Sequence, residues 1–182
     1  RILADRKDEN RERKTRLIGQ LTTLMTEGAF FALGQSVPIQ AATVDKVIDE
    51  LLNYLVTNTY SKLSYIKVHQ PDPISEIRAV LTTDTVTAAG LGLDGEEGNA
   101  QAIEEMRSYL HLAASQTRVL LSDVVERFLG IPWGWKPEAE IVLLVARLFM
   151  AGEIKLLLEG ADLSPAAAVE ALTKPTRFKQ VS

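Results

Sequence analysis

Cysteine is absent from the 182 residues. That excludes a disulfide framework, a thiolate metal site and a cysteine nucleophile, and it fits a reducing, cytoplasmic setting. Histidine is almost absent: His69 and His111 are the only two. His69 stands in a proline-rich stretch and His111 on an expected helix. Neither has a neighbouring carboxylate or second histidine at metal-ligand spacing. Long apolar runs are missing as well. The longest, Ile141–Met150, is interrupted by Arg147 and falls far short of the roughly 20 residues that cross a bilayer. No apolar signal-peptide core follows the charged N-terminus, and no G-x-x-x-x-G-K-[ST] phosphate loop occurs. No Ser/His/Asp arrangement stands out. The expectation is therefore no catalytic residue, no cofactor, no metal and no membrane partner. Arg1 rather than Met stands first, so a piece of a longer protein is expected.

What is present is ordinary for a folded domain: 46% hydrophobic and 24% charged residues, which excludes disorder of the whole chain. The net charge of −4 is unevenly spread. Residues 1–16 hold seven cations, among them Arg11 and Lys14, against four acids. The end of the chain holds Lys174, Arg177 and Lys179 with no acid after Thr173. The interior, residues 17–172, is therefore left with a net charge of −10. An acidic body repels nucleic acid, so only the two ends could attract it.

The periodicity predicts a mainly α fold. Ile2–Glu27 reads as a helix with a solvated start and a buried end, because Leu17, Ile18, Leu21, Leu24 and Met25 share one face. Gly28 stops it. Phe30–Leu33 and Val37–Gln40 around Gly34-Gln35-Ser36 read as a hairpin near 30–40, with Pro38 marking the second run as an edge strand. Thr43 is placed as the N-cap of an amphipathic helix over Val44–Leu63. Ile74–Leu81 and Asn99–Ser115 read as further helices, the latter burying Ile103, Met106, Leu110 and Leu112. Thr82–Gly98 reads as loop. Within it, Gly90-Leu91-Gly92-Leu93-Asp94-Gly95 matches the dinucleotide fingerprint by letter. A poor strand precedes it, and Glu96 and Glu97 would repel a phosphate, so it reads as a plain loop.

From Thr117 the pattern changes. Leu120–Leu129 reads as a short helix capped by Ser122, and Ile131-Pro132-Trp133-Gly134-Trp135 as a rigid aromatic turn. Lys136–Ala151 follows as a very apolar helix with Pro137 in its first turn. Ile154–Leu158 reads as a strand, and Ser164 caps a last helix, Pro165–Leu172. This order is that of a winged-helix-like unit. The division expected is a helical region with the hairpin over 1–116 and the winged-helix-like unit over 117–182. Glu104 and Glu105 diverge as sequence neighbours and make no carboxylate pair. Glu138 and Glu140 suit a helix N-terminus. Trp133 and Trp135 could stack a partner or a base, with Lys136 beside them. The stronger reading pins the turn to the core, with each indole N–H finding an acceptor.

Two stretches resemble a known family. One is Val47-Ile48-Asp49-Glu50-Leu51-Leu52-Asn53-Tyr54-Leu55-Val56 continuing through Tyr60 to Ile66. The other is Val124-Val125-Glu126-Arg127-Phe128, Pro132-Trp133-Gly134-Trp135 and Leu143–Glu153. Both are similar to segments of the large P-loop ATPases of BREX phage-defence systems (the BrxC/PglY type). The resemblance covers roughly residues 20–160, with Trp133 standing where tyrosine is usual. It rests on packing and turn residues. It implies a parent ATPase in a bacterial system that blocks phage replication beside a DNA-modifying methyltransferase. This stretch would be a C-terminal-side accessory region without the ATP-binding motifs.

Two readings of function follow. The first is a non-catalytic helical interaction or scaffold region whose partners are other subunits of the defence system or other parts of the parent chain. The second is a DNA-contacting winged-helix module using Trp133, Trp135, Lys136 and the basic ends. Its weakness is the Lys136–Ala151 helix, which starts with acids and is otherwise apolar, whereas a groove-reading helix needs polar or basic side chains. A stand-alone enzyme is a weaker third reading, which would need a pocket ringed by polar groups.

Overall fold

A computed structural model describes residues 2–83 and 99–182. The chain divides into two compact units, Arg1–Thr59 and Tyr60–Ser182. The division read at 116/117 falls instead inside the second unit, where helices on both sides of it share one core. The glycine-rich match at Gly90–Gly95 lies outside the described residues.

The first unit is a helix, a hairpin and a helix: α1 (Ile2–Glu27), β1 (Phe30–Ala32), β2 (Gln35–Val37) and α2 (Val44–Thr59). Helix α1 has no proline, and it stops at Gly28, where any Cβ would collide with the Leu24 carbonyl. Its apolar end is not buried as expected. Leu17, Ile18, Leu21 and Leu24 are all exposed, at 51–67%, because no described residue covers that face. The hairpin is shifted from its expected register. Phe30 pairs with Val37 and Ala32 with Gln35, so Leu33 and Gly34 alone make the turn, with φ of 52° and 77°. Two consecutive positive φ values reverse a chain in two residues, and Pro38 falls beyond the strand. Thr43 does stand at the start of α2, its carbonyl accepting the Val47 N–H at 2.9 Å.

Helix α2 ends at Thr59 rather than reaching Leu63. The cause is competition for the Lys62 backbone. Its N–H donates to the Pro132 carbonyl at 3.0 Å and its carbonyl accepts the Trp135 indole N–H at 2.9 Å. The N–H is thus withdrawn from the α-helical ladder, while the carbonyl also accepts the Tyr65 N–H at 3.2 Å as a 3-10 turn, Leu63–Tyr65, follows.

The second unit is built on one helix. It contains α3 (Pro73–Thr82), α4 (Ala100–Ala114), α5 (Leu121–Leu129), α6 (Glu138–Met150), β3 (Leu157–Leu158), β4 (Ala161–Asp162) and α7 (Pro165–Thr173). Every residue from Glu140 to Leu148 of α6 is buried. A helix apolar nearly all round must be covered on every side, and α3, α4, α5 and α7 all pack against it. Asp72 caps α3, accepting the Ser75 N–H at 3.1 Å. Ser164 caps α7, accepting the Ala167 N–H at 3.4 Å.

Ser122 does not cap α5. The helix starts at Leu121, and its free N–H groups are met from the far end of the chain. Leu121 donates to the Val181 carbonyl at 2.9 Å and Ser122 to the Phe178 carbonyl at 3.2 Å. These main-chain acceptors do the work of a side-chain cap. The same terminal segment pairs with β3 through an isolated antiparallel bridge, Leu158 with Val181, where Leu157 and Ser182 exchange N–H···O bonds of 2.7 and 3.0 Å. The strand expected over Ile154–Leu158 is thereby only its last two residues. Leu112, expected in the core, is 65% exposed; Met106 and Ile103 carry the buried face of α4. Among the described residues no helix is long and apolar enough to cross a membrane.

Leu144→Ala or Leu148→Ala should cost about 2–5 kcal/mol, as other buried truncations that leave a cavity do. Urea melts check this; a loss under roughly 1 kcal/mol in both variants would place α6 at a surface.

Candidate functional site

The α5–α6 connection carries the aromatic residues singled out in the sequence. Trp135 is fully buried and Trp133 is 8% exposed. Trp135 stacks on Phe128 at 4.7 Å between centroids with the planes 3° apart. Trp133 meets the same ring edge-on at 5.1 Å. Gly134, at φ 63°, faces Tyr60 so closely that a Cβ would strike its ring. Both indoles find acceptors: Trp135 donates to the Lys62 carbonyl and Trp133 to a Glu105 carboxylate oxygen at 3.2 Å. Glu105 also pairs with Lys62, and the Arg127 guanidinium lies 4.7 Å from the Trp133 ring centre and 4.3 Å from that of Tyr109. Such a cluster is a closed joint, since each face that could stack a base is already occupied.

The cations expected as contact residues are exposed or ion-paired, each within its own unit. Arg11 stands 3.7 Å from Asp8, and Lys14 is exposed on α1. Lys136 and Lys179 are exposed in the second unit. Lys174 and Arg177 converge on one acid, Glu170, at 2.7 and 3.1 Å. The Lys174 hydrogen bond, with both positive charges, holds the Glu170 carboxyl below its usual range. Phe178 and Val181 of the same tail are buried, so the terminal stretch is built into the core.

Two charged side chains of α6 are buried. Glu140 is 1% exposed; it accepts the Gln70 N–H at 2.6 Å and lies 3.8 Å from His69 Nδ1. Arg147 is 7% exposed, lies 3.8 Å from Glu76, and its Nε has no partner among the described residues. Desolvation, opposed by Glu76 and Glu140, lowers its pKa. Asn99, just ahead of α4, is buried as well. Its side chain accepts from the Lys67 and Val68 N–H groups and donates to the Val68 carbonyl, all within 2.9 Å. Glu140 and Asn99 thus tether the stretch before α3 to the core, which is a structural role.

A cavity of about 880 Å³ opens between α4, α5 and β3. Leu110, Val119, Leu121, Val124, Val145 and Leu156 line its floor, and Arg107, His111, Arg118, Glu153 and Lys155 its rim. Arg107 is committed to Glu153, with one bond of 2.9 Å, and to Glu104. The Arg107 hydrogen bond holds the Glu153 carboxyl below its ordinary value and raises the guanidinium in turn. Arg118 and Lys155 have no ion pair among the described residues. Sequence reasoning missed this groove, although Arg107, Leu110, His111 and Ala114 recur at helical spacing. No group of three His, Asp or Glu at metal-holding distance occurs among the described residues. His111 in the groove has no carboxylate partner among the described residues.

Residues 62–182 match the family model described as the BREX ATP-binding protein BrxC winged helix-turn-helix domain. Residues 1–55 match the model described as the BREX ATP-binding protein BrxC 4th domain with six-stranded beta sheet. No solved structure matches the chain.

Trp135→Ala should destabilise the second unit by about 3–5 kcal/mol. Trp135→Phe keeps a ring on Phe128 but removes the indole hydrogen bond to the Lys62 carbonyl, which keeps its Tyr65 N–H partner, and should cost about 0.5–1.5 kcal/mol. Thermal melts decide; two variants melting like the parent would make the turn a surface device. The Glu153 carboxyl is depressed below 4.5, so its contribution is complete above that value and is lost as pH falls through the lowered one. Glu153→Gln should flatten the acid limb of the stability profile; an unchanged limb would show that the Arg107 pair contributes nothing.

Proposed function

The chain belongs to the family of BREX ATP-binding BrxC proteins, a phage-defence context, and on that premise we propose that it is a non-catalytic scaffold region mediating contacts within its parent chain or with other subunits. Its two parts are accessory winged-helix and sheet domains rather than catalytic ones. The observation that carries the reading is the uncovered apolar surface of the first unit. Leu17, Ile18, Leu21 and Leu24 on α1, and Ile48, Leu52, Leu55 and Val56 on α2, are all at least 39% exposed. Each set follows helical spacing. Contiguous apolar patches of this kind mark a surface that another element covers. The matched domain is described with six strands, whereas the described residues of this unit form two. Further strands of that sheet are the natural cover. The proposal includes a cytoplasmic setting and needs no cofactor bound by this region.

A DNA-contacting role draws on the helix-turn-helix description alone. In that motif the second helix reads the major groove. Here that helix is α6, buried from Glu140 to Leu148, and using it so would require unpacking the core. Exposed Lys136 and Glu138 at its start offer no net charge for phosphates.

Leu21→Glu and Leu52→Glu separate the possibilities. In this chain alone they should change stability by no more than about 0.5 kcal/mol, as exposed substitutions do. In the whole parent protein they should cost several kcal/mol or block assembly, because a buried unpaired charge is expensive. Equal tolerance in both settings would sink the proposal. An anisotropy titration with duplex DNA at low salt should show no binding; micromolar binding that weakens steeply with salt would favour the DNA reading.

A further inference from the structure

We propose that the groove between α4, α5 and β3 is a docking site for an amphipathic helix whose apolar stripe is flanked by carboxylates. The inference rests on the scaffold reading and names a second, separate contact surface for it. Three observations carry it.

The first is shape and chemistry. The cavity, about 880 Å³, has an apolar floor made by Leu110, Val119, Leu121, Val124, Val145 and Leu156. This lies within the roughly 300–1,000 Å³ of built binding sites. The second is charge. The interior of the chain is strongly acidic, yet the rim of this groove carries Arg118 and Lys155 without ion-pair partners among the described residues. Arg107 is more than neutralised by Glu153 and Glu104, so the positive sign of the rim rests on the two cations that have no ion pair among the described residues. A local reversal of charge around an apolar floor selects an acidic, apolar partner.

The third observation decides between a helix and an extended strand. A strand docks by adding to a sheet edge through main-chain hydrogen bonds. Strand β3 has no such edge to offer, because Leu157 is registered with Asp162 on one side and exchanges two hydrogen bonds with Ser182 on the other. The other walls are α4, α5 and α6 and two non-helical stretches, one carrying Arg118 and Val119 and one running from Glu153 to Leu156. With both edges of β3 taken, the groove offers an apolar floor rather than a sheet edge, and a helix is the element that satisfies its own backbone while presenting an apolar stripe.

The test uses the full chain and a fluorescein-labelled synthetic helix with Leu at i, i+3, i+4 and i+7 flanked by Glu. A second peptide carries Lys in place of each Glu. By anisotropy the acidic peptide should bind at least about tenfold more tightly than the basic one, with the difference shrinking as salt rises. Arg118→Glu combined with Lys155→Glu should reverse that preference. Ala114→Trp, which fills the groove from an exposed position on α4, should abolish binding. Lys136→Glu, outside the groove, should leave it unchanged. Equal binding of the two peptides, no binding of either, or an affinity untouched by the paired charge reversal would each overturn the proposal. Duplex DNA competing at the same site would mark the two cations as phosphate contacts and overturn it as well. A negative result leaves the α1 and α2 substitutions in the parent protein to judge the scaffold reading on its own.

Discussion

Helix α6 has no side that it can turn to water. Nine consecutive residues, Glu140–Leu148, are buried, and the rest of the second unit is arranged to cover them. Ordinary surface helices bury one stripe; this one needs neighbours around its whole circumference, and α3, α4, α5 and α7 supply them. The demand reaches further than packing. Glu140 and Arg147 are drawn into the core with the helix, and a buried charge is tolerated only with partners. Gln70 and Glu76 provide them from the stretch leading into α3 and from α3 itself. The terminal segment buries Phe178 and Val181 in the same core and satisfies the first N–H groups of α5.

That constraint shapes what the unit can do. A helix-turn-helix whose second helix is enclosed keeps the topology of a groove reader without a face to read with. The aromatic joint before it is equally committed: Trp135 lies against Phe128, Trp133 donates to Glu105, and Arg127 lies over two rings. The proposed contact surfaces leave α6 enclosed. Within the second unit the groove, whose Arg118 and Lys155 have no ion pair among the described residues, is one. Within the first unit the apolar sides of α1 and α2 are another, and their exposure accords with a domain described by more strands than these residues form.

Local chemistry made parts of this legible in sequence. The apolar run, broken only by Arg147, marked α6 as the core helix, Ser164 before Pro165 marked the start of α7, and two indoles in a proline-bracketed turn marked a buried joint. The order of the elements pointed to a winged-helix-like unit, and the matched family model carries that description. The misses have a common cause in partners that are distant or absent. Ser122 looked like a cap, but the N–H groups at the start of α5 bond to carbonyls more than fifty residues later. The hairpin register was misread because Leu33, a residue that rarely takes positive φ, makes half of the turn. The end of α1 looked like a core face because periodicity reports that a stripe wants cover, not where the cover comes from. The groove was missed because its walls come from α4, α5, α6 and the segment around β3, and only the fold brings them together. Leu112 shows the limit of periodicity at one position, since it sits one residue beyond the stripe that α4 turns inward.

The central claim is that α6 is the enclosed spine of the second unit and cannot be presented to a partner while the unit stays folded. Native-state hydrogen exchange measures this directly, because amides that open only with the whole unit share its unfolding free energy and denaturant dependence. The account predicts that the amides from Ile141 to Leu148 exchange only through that global event, among the slowest in the chain. Exchange of these amides through a local opening, at a free energy well below that of unfolding and with little dependence on denaturant, would contradict it.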